Sequence, residues 1–217
     1  MNKKVLIFDL DGTLYQLQGG SYEKSILKTK IQNNAKKFIS KRLGVNMTDS
    51  SKILTRIENE YGEKISIGLE IEFNLNRYDY FNFVWDISTH NIVKKNTNLK
   101  KILLTLNKKY IFVLLSDAPK IWIENVLKKL NIYDSFSKNI FSGESEFRKG
   151  FNNGFTNVLN KMNLKSIDCI SIGDQEKTDI IPAKKLGIKT IYINQTKKSK
   201  VADISIKSIN DILDVLE

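Results

Sequence analysis

The chain has 217 residues, 41% of them apolar, which suits one α/β domain with a smaller insert. Its single cysteine, Cys169, excludes an intramolecular disulfide, no run approaches the roughly 20 apolar residues of a membrane span, and the opening apolar run is too short for a signal peptide, so a cytoplasmic protein without a membrane partner is expected. The net charge of +11 comes almost wholly from scattered lysines, with arginine only at Arg42, Arg56, Arg77 and Arg148; this reads as compositional bias that draws in small anions, and no nucleic-acid partner is expected.

In chain order, residues 4–9 read as a buried strand. From Ser21 to about Trp85 the pattern is helical. Ile26, Ile31, Phe38 and Leu43 lie on one stripe of a long helix ended by Gly44. A second helix starts near Asp49-Ser50-Ser51, carries Ile53, Leu54 and Ile57, and ends at Tyr61-Gly62. Leu69, Ile71 and Phe73, then Tyr78, Phe81, Val84 and Trp85, mark two shorter helices. The rhythm then alternates: helix 99–106, strand 110–116, helix 121–130, short strand 139–142, helix 151–162, strand 167–172, helix 178–186 closed by Gly187, strand 189–193, and a tail from Ile204 to Leu216 with a short strand and a helix. Alternating βαβ units argue for a doubly wound parallel sheet, with the helical block as an insertion: core 1–17 and 92–217, insert 18–91.

Four polar signals fall at strand ends or just before helices, where such a sheet places its ligands. The first is Asp9 and Asp11 in Phe8-Asp9-Leu10-Asp11-Gly12-Thr13-Leu14-Tyr15. Two neighbouring carboxylates repel, and a bound cation resolves the repulsion; the bland alternative is a turn built on Asp11-Gly12. The second is Ser116, followed by Asp117-Ala118-Pro119. Its hydroxyl and the nearby backbone N–H groups, that of Asp117 included, are candidates for holding a phosphate, or Ser116 is a helix N-cap. The third is Lys149, ahead of a helix, able to neutralise phosphate and nucleophile charge, with Arg148 as a competitor for that role. The fourth is Gly173-Asp174, with Asp179 five residues beyond Asp174. One or two carboxylates there, plus phosphate and water, satisfy an octahedral Mg²⁺.

In order and in wording these stretches resemble the four motifs of the haloacid dehalogenase-like hydrolases, over residues 4–15 and 95–195. The chain departs from the pattern where Gly150 follows Lys149 and where Asp117 follows Ser116. The resemblance implies a Rossmann-like core with a helical cap. It implies Asp9 as nucleophile, Asp11 as general acid and base, and Lys149 and Ser116 as stabilisers of the transferring group. Mg²⁺ would be held by Asp9, the backbone carbonyl of Asp11 and Asp174, with Asp179 in support. An acid at position 11 implies a phosphatase acting through an aspartyl-phosphate on a small phosphorylated metabolite, as a monomer or homodimer. Tyr61-Gly62, Gly68-Leu69 and the run from Tyr78 to Val84 further resemble the pyrimidine 5′-nucleotidase group, which implies a nucleoside monophosphate; a sugar phosphate or phosphoglycolate is the alternative. Tyr15, Tyr78, Phe81 and Trp85 either stack on a base or pack the cap. His90 carries no implied role, and Cys169 reads as packing.

Overall fold

The computed structural model describes residues 3–150 and 153–216. Six strands form one parallel sheet: β1 (Lys4–Phe8), β2 (Tyr110–Ser116), β3 (Ile140–Ser142), β4 (Cys169–Gly173), β5 (Lys189–Ile193) and β6 (Ile204–Ile206), in the order β3-β2-β1-β4-β5-β6. The sheet is buried on both faces, which is why its strands read as near-continuous apolar runs. Leu6, Phe8, Phe112, Leu114, Ile170 and Ile172 feed one apolar cluster. The alternate residues Val5, Ile7, Val113, Leu115 and Cys169 feed the other, with Phe155, Val158 and Ile188.

The first cluster continues into the insertion, which comprises α1 (Ile26–Leu43), α2 (Met47–Tyr61), α3 (Ile65–Phe73) and α4 (Arg77–Val84). Ser25 caps α1 by accepting the Lys28 N–H, and Gly44 ends it in the left-handed region. α2 begins earlier than Asp49-Ser50-Ser51: Asn46 is the cap, its side chain accepting the Asp49 N–H. Phe38 on α1 meets Tyr80 and Phe83 on α4 at ring separations of 5.5 and 5.6 Å. Of the expected aromatic stripe, Phe81 and Trp85 are partly buried against the same cluster, whereas Tyr78 stands 52% exposed.

The remaining helices are α5 (Leu99–Leu106), α6 (Lys120–Leu130), α7 (Tyr133–Phe136), α8 (Gly154–Lys161), α9 (Ile181–Lys185) and α10 (Leu213–Leu216). Three further boundaries differ from expectation. β4 starts at Cys169, because Ser166–Asp168 form a 3-10 turn that leaves Ile167 exposed. α8 starts at Gly154; residues 151 and 152, placed in that helix by the sequence pattern, lie outside the described residues. The expected helix 178–186 is a π turn over Glu176–Ile180 followed by α9, since Pro182 has no N–H with which to continue an α-helical ladder. The short α7 carried too little periodicity to be read. Its Phe136 is fully buried, edge-on to Phe8 at 5.6 Å.

Candidate active site

Strand order reverses between β1 and β4, and that switch point is where an open parallel sheet binds its ligands. Register then fixes what meets there. Phe8 is paired with Leu114 on one side and Ile172 on the other, so Asp9 emerges between the ends of β2 and β4. The Asp9 N–H donates to the Ile172 carbonyl at 2.9 Å, extending the ladder one residue past the strand.

Asp9 is 7% exposed, and both its oxygens are held. Lys149 Nζ donates to Oδ1 at 2.6 Å, and the Thr13 hydroxyl donates to Oδ2 at 3.0 Å. Lys149 also donates to Asp179 Oδ1 at 2.5 Å, while its own backbone N–H donates to Asp117 Oδ1 at 2.7 Å. Asp117 therefore turns its carboxylate to the Lys149 loop, leaving only its backbone to face a phosphate. Asp179 is buried in the π turn; its second oxygen accepts the Gln175 N–H and its carbonyl accepts the Ser171 hydroxyl, each at 2.9 Å. Ser116 does not cap α6, which begins four residues later behind Pro119. Its oxygen accepts the Ala118 N–H at 3.2 Å, which leaves its O–H as a donor.

Asp9, Asp174 and Asp179 each offer a carboxylate oxygen within 4.8 Å of the others. Asp174 Oδ1 is buried with no hydrogen-bond partner among the described residues. The loop from β1 closes tightly over it: Gly12 has φ +93°, and a Cβ there would lie 2.2 Å from Asp174 Oδ2. One ammonium serves several carboxylates, so the charges do not balance. Burial, then repulsion from Asp9 and Asp179, pushes Asp174 well above the usual carboxylate range. Burial raises Asp179 to about 7 against the pull of Lys149. Burial also lowers the Lys149 ammonium, but Asp179, Asp9 and Asp117 outweigh it and hold Lys149 well above its ordinary value. An orphaned buried oxygen, hard oxygen donors and uncompensated negative charge fit a divalent cation such as Mg²⁺.

Asp11 is set apart from this cluster. Burial raises it to about 6, opposed by hydrogen bonds from Trp122 and Tyr15. Trp122 Nε1 donates to Asp11 Oδ1 at 2.8 Å, and the Tyr15 hydroxyl donates to the same oxygen. Sequence reasoning missed Trp122. The available signal was a Trp on the first turn of the helix after Ser116, since a buried indole N–H needs a partner. Arg148 does not share the role of Lys149; it donates to the Glu63 carbonyl at 3.2 Å and carboxylate at 3.1 Å, linking the core to the α2–α3 turn. His90 is exposed, and Cys169 is buried in β4. Beside Asp174 a cavity of about 530 Å³ opens, with Lys94, Lys95 and Lys207 in its wall.

Acids gathered around a buried lysine at the switch point of a doubly wound sheet define a hydrolytic centre on an α/β scaffold. The sequence profile of the haloacid dehalogenase-like hydrolases matches residues 6–193, and the chain belongs to that family. Among curated relatives, glyceraldehyde 3-phosphate phosphatases of Pyrococcus furiosus and Methanocaldococcus jannaschii are each 25% identical to it, covering 99% of this chain and 93% and 97% of their own lengths. A phosphatase of the same superfamily from Thermococcus onnurineus superposes with a TM-score of 0.67 at 16% identity, over 98% of this chain and 97% of the other. A 2-haloacid dehalogenase from Pseudomonas syringae superposes with a TM-score of 0.63 at 16% identity, over 99% of this chain and 98% of the other. These two share the fold. No helix among the described residues is long and apolar enough to cross a membrane.

Proposed function

We propose that the chain is a Mg²⁺-dependent phosphatase that hydrolyses a small sugar phosphate of triose size through an aspartyl-phosphate on Asp9. The observation that carries this reading is the pairing of two differently set acids on one turn. Asp9 lies in an ion pair with Lys149 beside Asp174 and Asp179. Asp11, two residues on, is raised to about 6. A haloacid dehalogenase has no use for a proton donor at position 11, whereas a phosphate ester's leaving oxygen needs one.

Asp9 supplies the attacking oxygen. Lys149 and the Ser116 hydroxyl face the charge of the transferring group. Asp9, Asp174 and the backbone carbonyl of Asp11 would hold the cation, with Asp179 in support; when bound it neutralises phosphoryl and carboxylate charge. Asp11, with a raised affinity for its proton, gives it to the departing oxygen near neutral pH and, once ionised, takes one from water.

The helical insert, residues 18–91, acts as a cap over the leaving group. The curated relatives, named glyceraldehyde 3-phosphate phosphatases, support the substrate class. A nucleotide is less well supported. Of the aromatics expected to stack on a base, Tyr15 is tied to Asp11, and Phe81 and Trp85 pack against the apolar cluster, which leaves Tyr78 exposed. The test is phosphate release with Mg²⁺ from glyceraldehyde 3-phosphate, glycerol 3-phosphate, phosphoglycolate, UMP and CMP. The highest kcat/KM is expected on the triose phosphates; a preference for the nucleotides overturns the substrate assignment.

A further inference from the structure

We propose that Trp122 and Tyr15 are positioning residues for Asp11: they fix its Oδ1 and so make Oδ2 the oxygen that carries the proton to the leaving group and takes it back from water. The inference rests on the phosphatase reading above and adds the parts that aim its acid.

A carboxyl group has two oxygens, and only one bears the proton in the acid form. Here Oδ1 receives two donors at once, the indole N–H of Trp122 at 2.8 Å and the hydroxyl of Tyr15. An indole nitrogen donates and cannot accept. Oδ1 must therefore stay an acceptor, and the proton belongs on Oδ2. Both donors are rigidly seated. Trp122 is fully buried and stands on the first turn of α6, while Tyr15 is 3% exposed and its segment is bridged to Asp11 across the loop. A buried indole in a core that served packing alone would meet a backbone carbonyl or lose a hydrogen bond's worth of stability. This one meets the group that must move a proton.

The steps balance as follows. An Asp9 oxygen bonds to phosphorus while the bond from phosphorus to the ester oxygen breaks, and the electron pair of that bond goes to the ester oxygen. That oxygen takes the proton from Asp11 Oδ2 and leaves as the alcohol. Water then attacks phosphorus, its proton passes to Oδ2, the Asp9–phosphorus bond breaks onto Asp9, and inorganic phosphate departs. A carboxyl free to rotate would present the proton-bearing oxygen only part of the time. The two donors remove that freedom.

The experiment compares wild type with Trp122→Phe and Tyr15→Phe, measuring kcat/KM with Mg²⁺ on glyceraldehyde 3-phosphate and on p-nitrophenyl phosphate. This ratio reports the steps through release of the alcohol. The first ester has an alkoxide leaving group that needs the proton; the second leaves as a stable phenolate that scarcely needs it. Each variant is expected to lose roughly 10- to 100-fold on the alkyl ester, and at least about tenfold less on the aryl ester. Tyr15→Phe removes only a hydroxyl, so it answers the question even where Trp122→Phe folds poorly. Equal losses on both esters mean a merely structural role and overturn the inference, as does an undiminished rate on the alkyl ester. A wild type inactive on both esters overturns the phosphatase reading itself, and the inference with it.

Discussion

The carboxyl edge of the sheet buries three charged side chains, Asp9, Lys149 and Asp179, none more than 7% exposed. Among the described residues of the four-helix insert no charged residue is buried as a whole, although Glu72 Oε1 and Arg77 Nε are shielded; its buried polar residues are Ser25, Ser50 and Ser66. Its ion pairs Arg42–Asp79 and Lys52–Asp49 lie in solvent, and Arg56–Glu72 is half-shielded. Ser25 caps a helix and Ser50 bonds its own helix backbone, so each satisfies a local need. Burying carboxylates beside one another costs stability unless each is compensated. One region is thus built against its own stability and the other for it, and substitutions in the two should fail in opposite ways.

The largest effect is expected at Asp9. Asp9→Asn should lower kcat by about 10⁴-fold or more, the scale seen when a covalent nucleophile is removed. The melting temperature of the metal-free protein should hold or rise, because Asp9 repels Asp11, Asp174 and Asp179. Phosphate release and a thermal melt on one preparation check both halves. A variant that keeps wild-type turnover removes Asp9 from the chemistry. Asp11→Asn should also be slow but still form phosphoenzyme, which denaturing electrophoresis with labelled substrate would reveal.

Phe38→Ala is the mirror experiment. Phe38 is 1% exposed and packs Tyr80 and Phe83. Truncating a buried Phe typically costs about 3–5 kcal/mol, and at about 2–4 °C per kcal/mol the melt should fall by roughly 6–20 °C. Below that new melt kcat should stay within a small factor of wild type. A loss of kcat as deep as that of Asp9→Asn would mean the two regions are not separable in this way.

pH and metal both act on the charge imbalance at the switch point. Asp11 and Asp179 stand at about 6 and about 7 against an ordinary 3.8, with Asp174 also raised. Each binds its proton more tightly folded than unfolded. The folded state therefore loses stability as pH climbs from about 4 through 7, where these groups must ionise while buried. Melts in a chelator should fall by several degrees between pH 5 and pH 8. Millimolar Mg²⁺ should recover most of that loss, since the cation compensates the ionised forms. A chelated protein whose melt is flat or rises over this interval would contradict the charge imbalance at the switch point.

The same contrast explains what could be read from the sequence. The acids were legible because β1 and β4 are short apolar runs ending abruptly in Asp9 and Gly173-Asp174, and register alone brings such ends together. The insert's helices were legible from apolar spacing. Trp122 was not, because its importance lies in one hydrogen bond across the fold rather than in any spacing along the chain. The π turn at Asp179 was hidden for a similar reason: helical periodicity carries on through it, and beside the missing N–H of Pro182 it is the Asp179 contacts with Gln175 and Ser171 that accompany the widened backbone. The place of the Asp117 carboxylate was not legible either, since adjacency to Ser116 does not show that it faces the Lys149 backbone.

The smallest effect is expected where the two regions touch. Arg148 precedes Lys149, and its guanidinium reaches across to Glu63 in the insert, while Arg77 of α4 donates to the Glu144 carbonyl at 2.6 Å in the core. The Glu63 side chain is 76% exposed, so its ion pair is worth only about 0.2–1 kcal/mol. If the insert acts as the proposed cap, the pair bears on how it sits against the core rather than on the bonds being broken. Glu63→Gln keeps the backbone carbonyl that Arg148 also uses and removes only the charge. It should raise KM for the triose phosphate by less than about fivefold, the factor that 1 kcal/mol allows, and leave kcat nearly untouched. The KM effect should shrink as salt is added, because an exposed pair is screened. A fall in kcat that exceeds the rise in KM would show instead that Glu63, through Arg148, sets the position of Lys149, and the boundary between the two regions would have to be redrawn to place the α2–α3 turn with the site.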